Sequence, residues 1–504
     1  MENLAQSSVF DQEGGDDQML CAAEAQGQTP EDLDLHVWQL LTRTVLAHPN
    51  REAVVSVWQP QRLSGSAQPS DIAKGSCLRW TYQQLLDKSS LLASALWELG
   101  CRPGMRLGAL LWNSAEWALI FWATASLGIT FAPIDPRDVA EARRMLKRIR
   151  ADIVVVQDEL PARVIDNETV ALQPAMIRIQ CSGKAPKGWH SLEHLCSDES
   201  AATFHAGING DRAYDPNAVA LIVFTSGTSG TAKGCTHKSR NLISQTNNYD
   251  PNEDPSVVDR WLVHTPVSHI FAINNMLRAW RLGDTVVFPS KAFDVDLTIR
   301  ALTVEECTIM SATPTLVKAL TSHPSFPGAD AVKLNLVTIA ATMIRVDDIR
   351  LCKDKLGTKD SIQAYGMSEG APLISWSRTD EKLKNGFHPG VGKVLPGAAI
   401  RICHPKTGKL LSRNETGELH VSGPSVVDAY LDGADPDSFY DHKASRWLKT
   451  GDQAMMDSEG VVHILGRLKD IIIRGGENIN PKVIEEALVV LPGVEVSFNA
   501  SPPG

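Results

Sequence analysis

The sequence predicts an α/β fold: a large region of layered α/β subdomains, then a small β-barrel-like subdomain, then an incomplete α+β stub. Three observations carry this. From Asp34 to about Gly390, helical stretches with apolar positions three and four apart alternate with short apolar runs. One such run, Ala218 to Phe224, leads straight into a glycine-rich loop, which is where α/β folds place ligand sites. Beyond Gly392 the pattern changes to short β-like runs separated by glycine, proline and Asn/Asp turns. The division that follows is a disordered leader over 1–29 and a main region over 30–466 whose β-rich part covers about 392–466, followed by a short stretch over 467–504.

In chain order, LHVWQLLTRTVLAH and YQQLLDKSSLLASALWELG read as helices, and RLGALLW and ITFAPID as strands. A second cycle runs from the helical ARRMLKRIRAD through IVVVQ to VALIVFTSGTSG. A third runs from TVVFPS through LTIRALTVEEC and PTLVKAL to LVTIAA and DSIQAYGMSEG. AAIRICH, GELHVSG, VVHILG and DIIIRG are the expected antiparallel strands, and PKVIEEAL reads as a helix with proline in its first turn.

Composition narrows the function classes. Hydrophobic residues make up 43% and charged residues 21% of 504, with a net charge of -10. That balance argues against a disordered chain and against a basic nucleic-acid-binding surface. The nine cysteines show no Cys-x-x-Cys pair and no metal-ligand spacing, so reduced thiols in the cytosol are expected. WALIFWATA is about half of the roughly 20 residues a membrane span needs, so a buried helix is expected there and no membrane span. The first residues carry acids where a secretory or mitochondrial signal carries bases. The expected location is cytoplasmic, with a peroxisomal address left open.

Thr225, Ser226, Gly227, Thr228, Ser229, Gly230, Thr231, Ala232, Lys233 and Gly234 bring several kinds of phosphate ligand together. Glycines let backbone N–H groups approach an anion, hydroxyls donate to it, and Lys233 adds a compact positive charge. A P-loop of the Walker type needs glycine before the lysine and Ser/Thr after it, whereas Ala232 and Gly234 stand there. The bland alternative is a surface turn, and the apolar strand before the loop together with the lysine argues against it.

The loop resembles the signature of adenylate-forming enzymes, the superfamily of acyl-CoA synthetases, firefly luciferase and peptide-synthetase adenylation domains. Ser229 replaces its second threonine and Ala232 its proline. Further motifs follow in the family's order: RWTYQQLL and LGITFAPIDP as packing elements, then Tyr365-Gly366-Met367-Ser368-Glu369, Lys449-Thr450-Gly451-Asp452, Gly466-Arg467-Leu468-Lys469-Asp470 and Gly475-Gly476-Glu477-Asn478-Ile479. The likeness spans about Leu33 to Gly493. It implies that Tyr365, on the Gly366 turn, stacks on adenine, Ser368 contacts the α-phosphate and Glu369 holds Mg2+, a hard cation that takes carboxylate oxygen. It also implies that Ala341 walls the adenine, Asp452 binds the ribose hydroxyls, Arg467 contacts ribose or phosphate and Lys469 is the hinge. Gly475 and Gly476 would line the path of coenzyme A (CoA), and His269, in Pro266–Ala272, would border the acyl and thiol sites.

The reaction implied is ATP-dependent activation of a carboxylic acid to acyl-AMP, followed by transfer to CoA, with phosphopantetheinyl carrier protein as the alternative acceptor. Ser268 to Arg281 holds no Asp or Glu, where amino-acid-activating relatives pair an acid with the substrate ammonium. A fatty or aryl acid is therefore expected, possible uses including secondary metabolism. The resemblance also makes 467–504 a hinge and an incomplete C-terminal domain, since it calls for a late lysine on a Pro-x-x-x-x-Gly-Lys segment and no such segment follows Arg467. The stretch given is accordingly expected to bind ATP and form acyl-AMP slowly, a non-catalytic nucleotide-binding remnant being the reading from another class.

Overall fold

The computed structural model describes residues 22–60, 77–159, 161, 162, 165, 176–197, 214–225, 232–247, 257–340, 346–377, 390–470, 472–474 and 477–479. They form two large sheets, mostly parallel, and one antiparallel sheet, with a short hairpin at the end.

The seven-stranded sheet runs in the order 234–238, 219–224, 130–134, 106–110, 153–156, 177–180, 190–191. The nine-stranded sheet runs 393–394, 370–375, 360–367, 336–339, 309–312, 260–262, 285–288, 52–60, 77–81. Their inner strands are apolar on both faces, Ile153–Val156 and Thr285–Phe288 being buried throughout, as parallel strands covered by helices must be.

One core joins the two sheets. It contains Leu107, Phe131 and Leu221 from one sheet, Val54, Val286 and Ile309 from the other, and the helices between them. Every residue of helix Ala115–Leu127 is buried, so apolar side chains stand on every side of it and its one acid, Glu116, accepts from Gln59 at 2.6 Å. Its Trp117 and Phe121 meet Phe131 edge-on at 5.1 and 5.6 Å, and Trp122 meets Trp280 at 5.3 Å. Helices Val295–Val304, Pro314–Thr321 and Val346–Leu356 cover the far face of the nine-stranded sheet, and Val139–Arg148 that of the seven-stranded one. At the rim of the nine-stranded sheet, Glu305, only 2% exposed, bridges Arg79 at 2.5 Å and Arg260 at 2.7 Å, and Glu52 bridges the same two arginines.

The antiparallel sheet has six strands, in the order 24–26, 399–403, 416–422, 445–456, 439–442, with 462–467 added to the strand 445–456. Two boundaries differ from the sequence reading. Residues 22–29 belong to the fold and not to a leader: Glu24–Gln26 pairs with Ala399–Arg401, Ala23 is fully buried and Arg401 pairs with Glu24 at 2.9 Å. The acidic start of the chain hid this short strand, which completes an otherwise open edge. The strand Lys393–Val394, expected in the β-rich part, joins the nine-stranded sheet instead, through Ile374 and Ser375. The expected helix PKVIEEAL lies outside the described residues.

Candidate active site

Strands Val219–Phe224 and Gly234–Lys238 pair antiparallel, so the loop between them reverses the chain at the edge of the seven-stranded sheet. Thr225 and Lys233 close its base: the Thr225 amide donates to the Lys233 carbonyl at 2.8 Å, and the Lys233 amide to the Thr225 hydroxyl at 3.1 Å. Ser226, Gly227, Thr228, Ser229 and Gly230 lie outside the described residues. A Cβ on Gly234 would sit 3.0 Å from the Leu431 side chain, so this glycine lets the 430–431 segment come close. Cys235 bridges to Tyr430 there.

That approach brings Tyr430 between two of the residues singled out in the sequence. The Lys233 ammonium lies over the Tyr430 ring, 5.0 Å from its centroid, and the Tyr430 hydroxyl donates to the Glu369 carboxylate. Lys233 also pairs with Asp435, whose carboxyl it holds below the usual range. Glu369 is 6% exposed. Burial pushes its carboxyl above the ordinary range, against the pull of Tyr430, Lys233 and Arg467.

A second group joins the nine-stranded sheet to the antiparallel one. The Tyr365 hydroxyl donates to Asp452 at 2.5 Å, and Asp452 pairs with Arg467 Nε at 2.8 Å, directly across the strands 445–456 and 462–467. Asp452 is 5% exposed, and its carboxyl is pushed up by burial and pulled down by Arg467 and Tyr365. Tyr365 ends the regular pairing of its strand, exposed Gly366 forming the irregularity, after which Ser368 and Glu369 turn the chain back into Gly370–Ser375.

The remaining expected residues divide. His269 stands exposed at the start of helix Ile270–Leu282, beside a small cleft lined by Trp112, Asn113, Asp135, Arg137, Ser268 and Lys291. Its imidazole is held below the ordinary range by desolvation, with Asp135 opposing and Arg137 adding to the shift. Its helix touches strand Gly370–Ser375, which begins next to Glu369. Lys469 is exposed in the short turn 468–470. Ala341, Gly475 and Gly476 lie outside the described residues, although the hairpin Ile472–Arg474 with Glu477–Ile479 flanks the two glycines. Sequence reading missed Tyr430 and Asp435, because neither sits in a motif rich in chemistry and only the fold brings them to Lys233.

Chemically, Glu369 fits one hard cation. Its buried carboxylate accepts from Tyr430 through Oε1, and carboxylate oxygen together with phosphate oxygens is the donor set such a cation takes. Among the described residues no group of three or more His, Cys, Asp or Glu could hold a metal without such phosphates. No helix among them is long and apolar enough to cross a membrane.

Comparison with known proteins gives the family. An acyl-CoA ligase of Pestalotiopsis microspora is 29% identical, covering 94% of this chain and 85% of the relative. The acyl-CoA ligase sidI of Aspergillus fumigatus is 26% identical, over 92% of this chain and 78% of its own. Among solved structures, ATP-bound MatB from Rhodopseudomonas palustris matches with a TM-score of 0.76 at 24% identity, covering 91% of this chain and 84% of that one, a likeness of fold. The anthranilate CoA ligase AuaEII with anthranoyl-AMP matches with a TM-score of 0.77 at 20% identity, over 92% and 84%. The family model described as AMP-binding enzyme matches residues 41–431, most of the chain, and the protein belongs to that family.

Proposed function

We propose that the protein is an ATP-dependent acid–thiol ligase: it activates a carboxylic acid as acyl-AMP and passes the acyl group to CoA. The observation that carries this reading is the convergence of Lys233, Tyr430 and Glu369 with Tyr365, Asp452 and Arg467 around one chain reversal. The acyl-CoA ligases among its relatives support it.

In the first step a substrate carboxylate oxygen attacks the α-phosphorus of ATP. An O–P bond forms, the bond to the β-phosphate oxygen breaks, and pyrophosphate leaves with its electron pair. Such a step needs positioning and charge neutralisation more than covalent help. Lys233 leaves Asp435 for the phosphates, and the loop over 225–233 wraps them, with Ser368 at the α-phosphate. Asp452 accepts from the ribose hydroxyls, which replace its bonds to Tyr365 and Arg467, and Tyr365 offers its ring to adenine. Glu369 would hold Mg2+, which supplies positive charge between phosphate oxygens when bound.

In the second step the thiol sulfur attacks the acyl carbonyl carbon, the C–O bond to AMP breaks, and AMP leaves. By the family likeness we assign Gly475 and Gly476 to the thiol path, His269 to the border of the acyl and thiol sites, and Lys469 to the hinge. Helix Ile270–Leu282 holds no acid to pair with a substrate ammonium, and we read the acyl group as fatty or aryl and not as an amino acid. We place the activity in the cytoplasm, with CoA as acceptor before a carrier protein. Assay of AMP release over a panel of acids, with free CoA or a phosphopantetheinylated carrier, tests both points. Release that depends on no acid would refute the proposal, and thioester formed only on the carrier would replace the acceptor.

A further inference from the structure

Glu369 sits at the second position of a two-residue turn: Met367 pairs with Gly370, and Ser368 and Glu369 lie between. Neither turn residue has positive φ, which among the common turn types leaves type I. Two-residue hairpins favour the primed types, because a type I turn twists against its strands. Holding this turn therefore calls for bonds from outside the hairpin.

Two such bonds exist. The Val427 amide donates to the Glu369 carbonyl at 2.9 Å, and His237 Nε2 lies 2.8 Å from the Ser368 carbonyl, the oxygen of the turn's central peptide. A carbonyl oxygen only accepts, so Nε2 carries the proton. His237 Nδ1 must then accept, and Gln245 Nε2 lies 3.3 Å from it while also donating to the Ser425 carbonyl at 2.8 Å. The Gln245 amide cannot be reversed without setting its oxygen against two acceptors, so the tautomer is fixed on both sides. His237 is fully buried on strand Gly234–Lys238, four residues after Lys233, and desolvation lowers its pKa to about 4, which keeps it neutral. Gly370 leaves room for this, since a Cβ there would sit 2.9 Å from the Ser425 carbonyl.

We propose that His237, with its tautomer set by Gln245, is a positioning residue that locks the Ser368–Glu369 peptide and so aims the Glu369 carboxylate for cation-dependent ATP binding. It also ties that carboxylate to the strand that directly follows Lys233, so the two groups keep their spacing. The inference rests on the reading of Glu369 as the cation ligand.

The test is calorimetric titration of ATP, with and without Mg2+ and without acid, into wild type, His237→Leu, His237→Gln, Glu369→Gln and the Leu/Gln double variant, alongside thermal melting. Outer partners of metal ligands commonly carry about 10- to 100-fold in metal affinity, so His237→Leu is expected to weaken Mg2+-dependent binding by that factor and Mg2+-free binding, which senses only Ser368, by less than about threefold. Gln places an N–H where His has one, and His237→Gln is expected to stay within about threefold of wild type. In the Glu369→Gln background, His237→Leu is expected to add less than about threefold, since coupled residues are non-additive. Additive losses, or equal loss with and without Mg2+ that tracks a fall in melting temperature, would reduce His237 to packing and overturn the proposal. Should His237→Leu not fold, Gln245→Met, which releases the tautomer, is expected to show the same Mg2+-selective loss, and no loss would overturn it. If Glu369→Gln keeps full Mg2+ dependence, the reading of Glu369 fails and the inference with it. If Glu369→Gln loses it while His237→Leu does not, only the inference fails.

Discussion

Replacing Asp452 by alanine removes the acceptor that both Tyr365 and Arg467 address in the free protein. A hydrogen bond to a charged acceptor is worth about 1.5–3 kcal/mol net. Ribose would bring two such bonds to Asp452 and displace two, of which the pair to Arg467, 44% exposed, is worth only about 0–1 kcal/mol, so the net gain is about one bond. That corresponds to a rise of roughly 10- to 100-fold in the KM for ATP, at about 1.4 kcal/mol per decade. The KM for the acid should stay within about twofold, because Asp452 faces the nucleotide side alone. Asp452→Asn keeps one carbonyl acceptor and should fall between the two. Arg467 is 44% exposed, so losing its partner leaves a hydrated charge and little change in stability. The assay is ATP-dependent pyrophosphate exchange at saturating acid with ATP varied. An unchanged KM for ATP in Asp452→Ala, or an equal rise for acid and ATP, would refute the ribose assignment.

Asp435→Asn frees Lys233 from a half-exposed ion pair worth about 0–1 kcal/mol, and should lower the KM for ATP by up to about fivefold in the same exchange assay. Lys233→Ala should reduce exchange by about 100-fold or more, as expected for loss of a charge at the reacting phosphate. Glu369 and Asp452 both have raised carboxyl values, so a kcat/KM profile for ATP should fall on acidification at a pH above the ordinary 4.5 and 3.8. The stability sign runs the other way for these two groups. Between the ordinary and the raised values the folded state binds more protons than the unfolded one, so their contribution to stability grows as pH falls through the raised values and is lost as pH rises through them. Melting curves of Glu369→Gln and wild type across that window should converge toward low pH. Glu305→Gln weakens two guanidinium bridges at once, and with the arginines 21–23% exposed a loss of about 2–4 kcal/mol is expected from urea unfolding, where under about 0.5 would contradict it.

Much of this was legible in the sequence for physical reasons. Ala115–Leu127 is apolar on every side and could only be buried, and Val219–Phe224 is an apolar run that stops at glycine. Lys233, Glu369, Tyr365, Asp452 and Arg467 stand in ordered motifs, and the fold groups them. What escaped reading was set by distant contacts. Ser445–Met456, the central strand of the antiparallel sheet, begins among exposed polar residues, so its alternation shows only once its partners are known. Glu24–Gln26 is three residues long and gains its conformation from the edge it joins. Tyr430, Asp435 and His237 are ordinary residues in their local sequence. They matter through partners 61, 202 and 131 positions away, which no local pattern records.

On the proposed function, one nucleotide cleft activates an acid and hands it to a thiol. Incubating the protein with Mg2+, ATP, CoA and a panel of fatty and aryl acids, and following AMP and acyl-CoA together, tests this. AMP and thioester should appear in equal amounts with at least one acid, and both should vanish in Lys233→Ala. Bound ATP with neither pyrophosphate exchange nor thioester for any acid would contradict it.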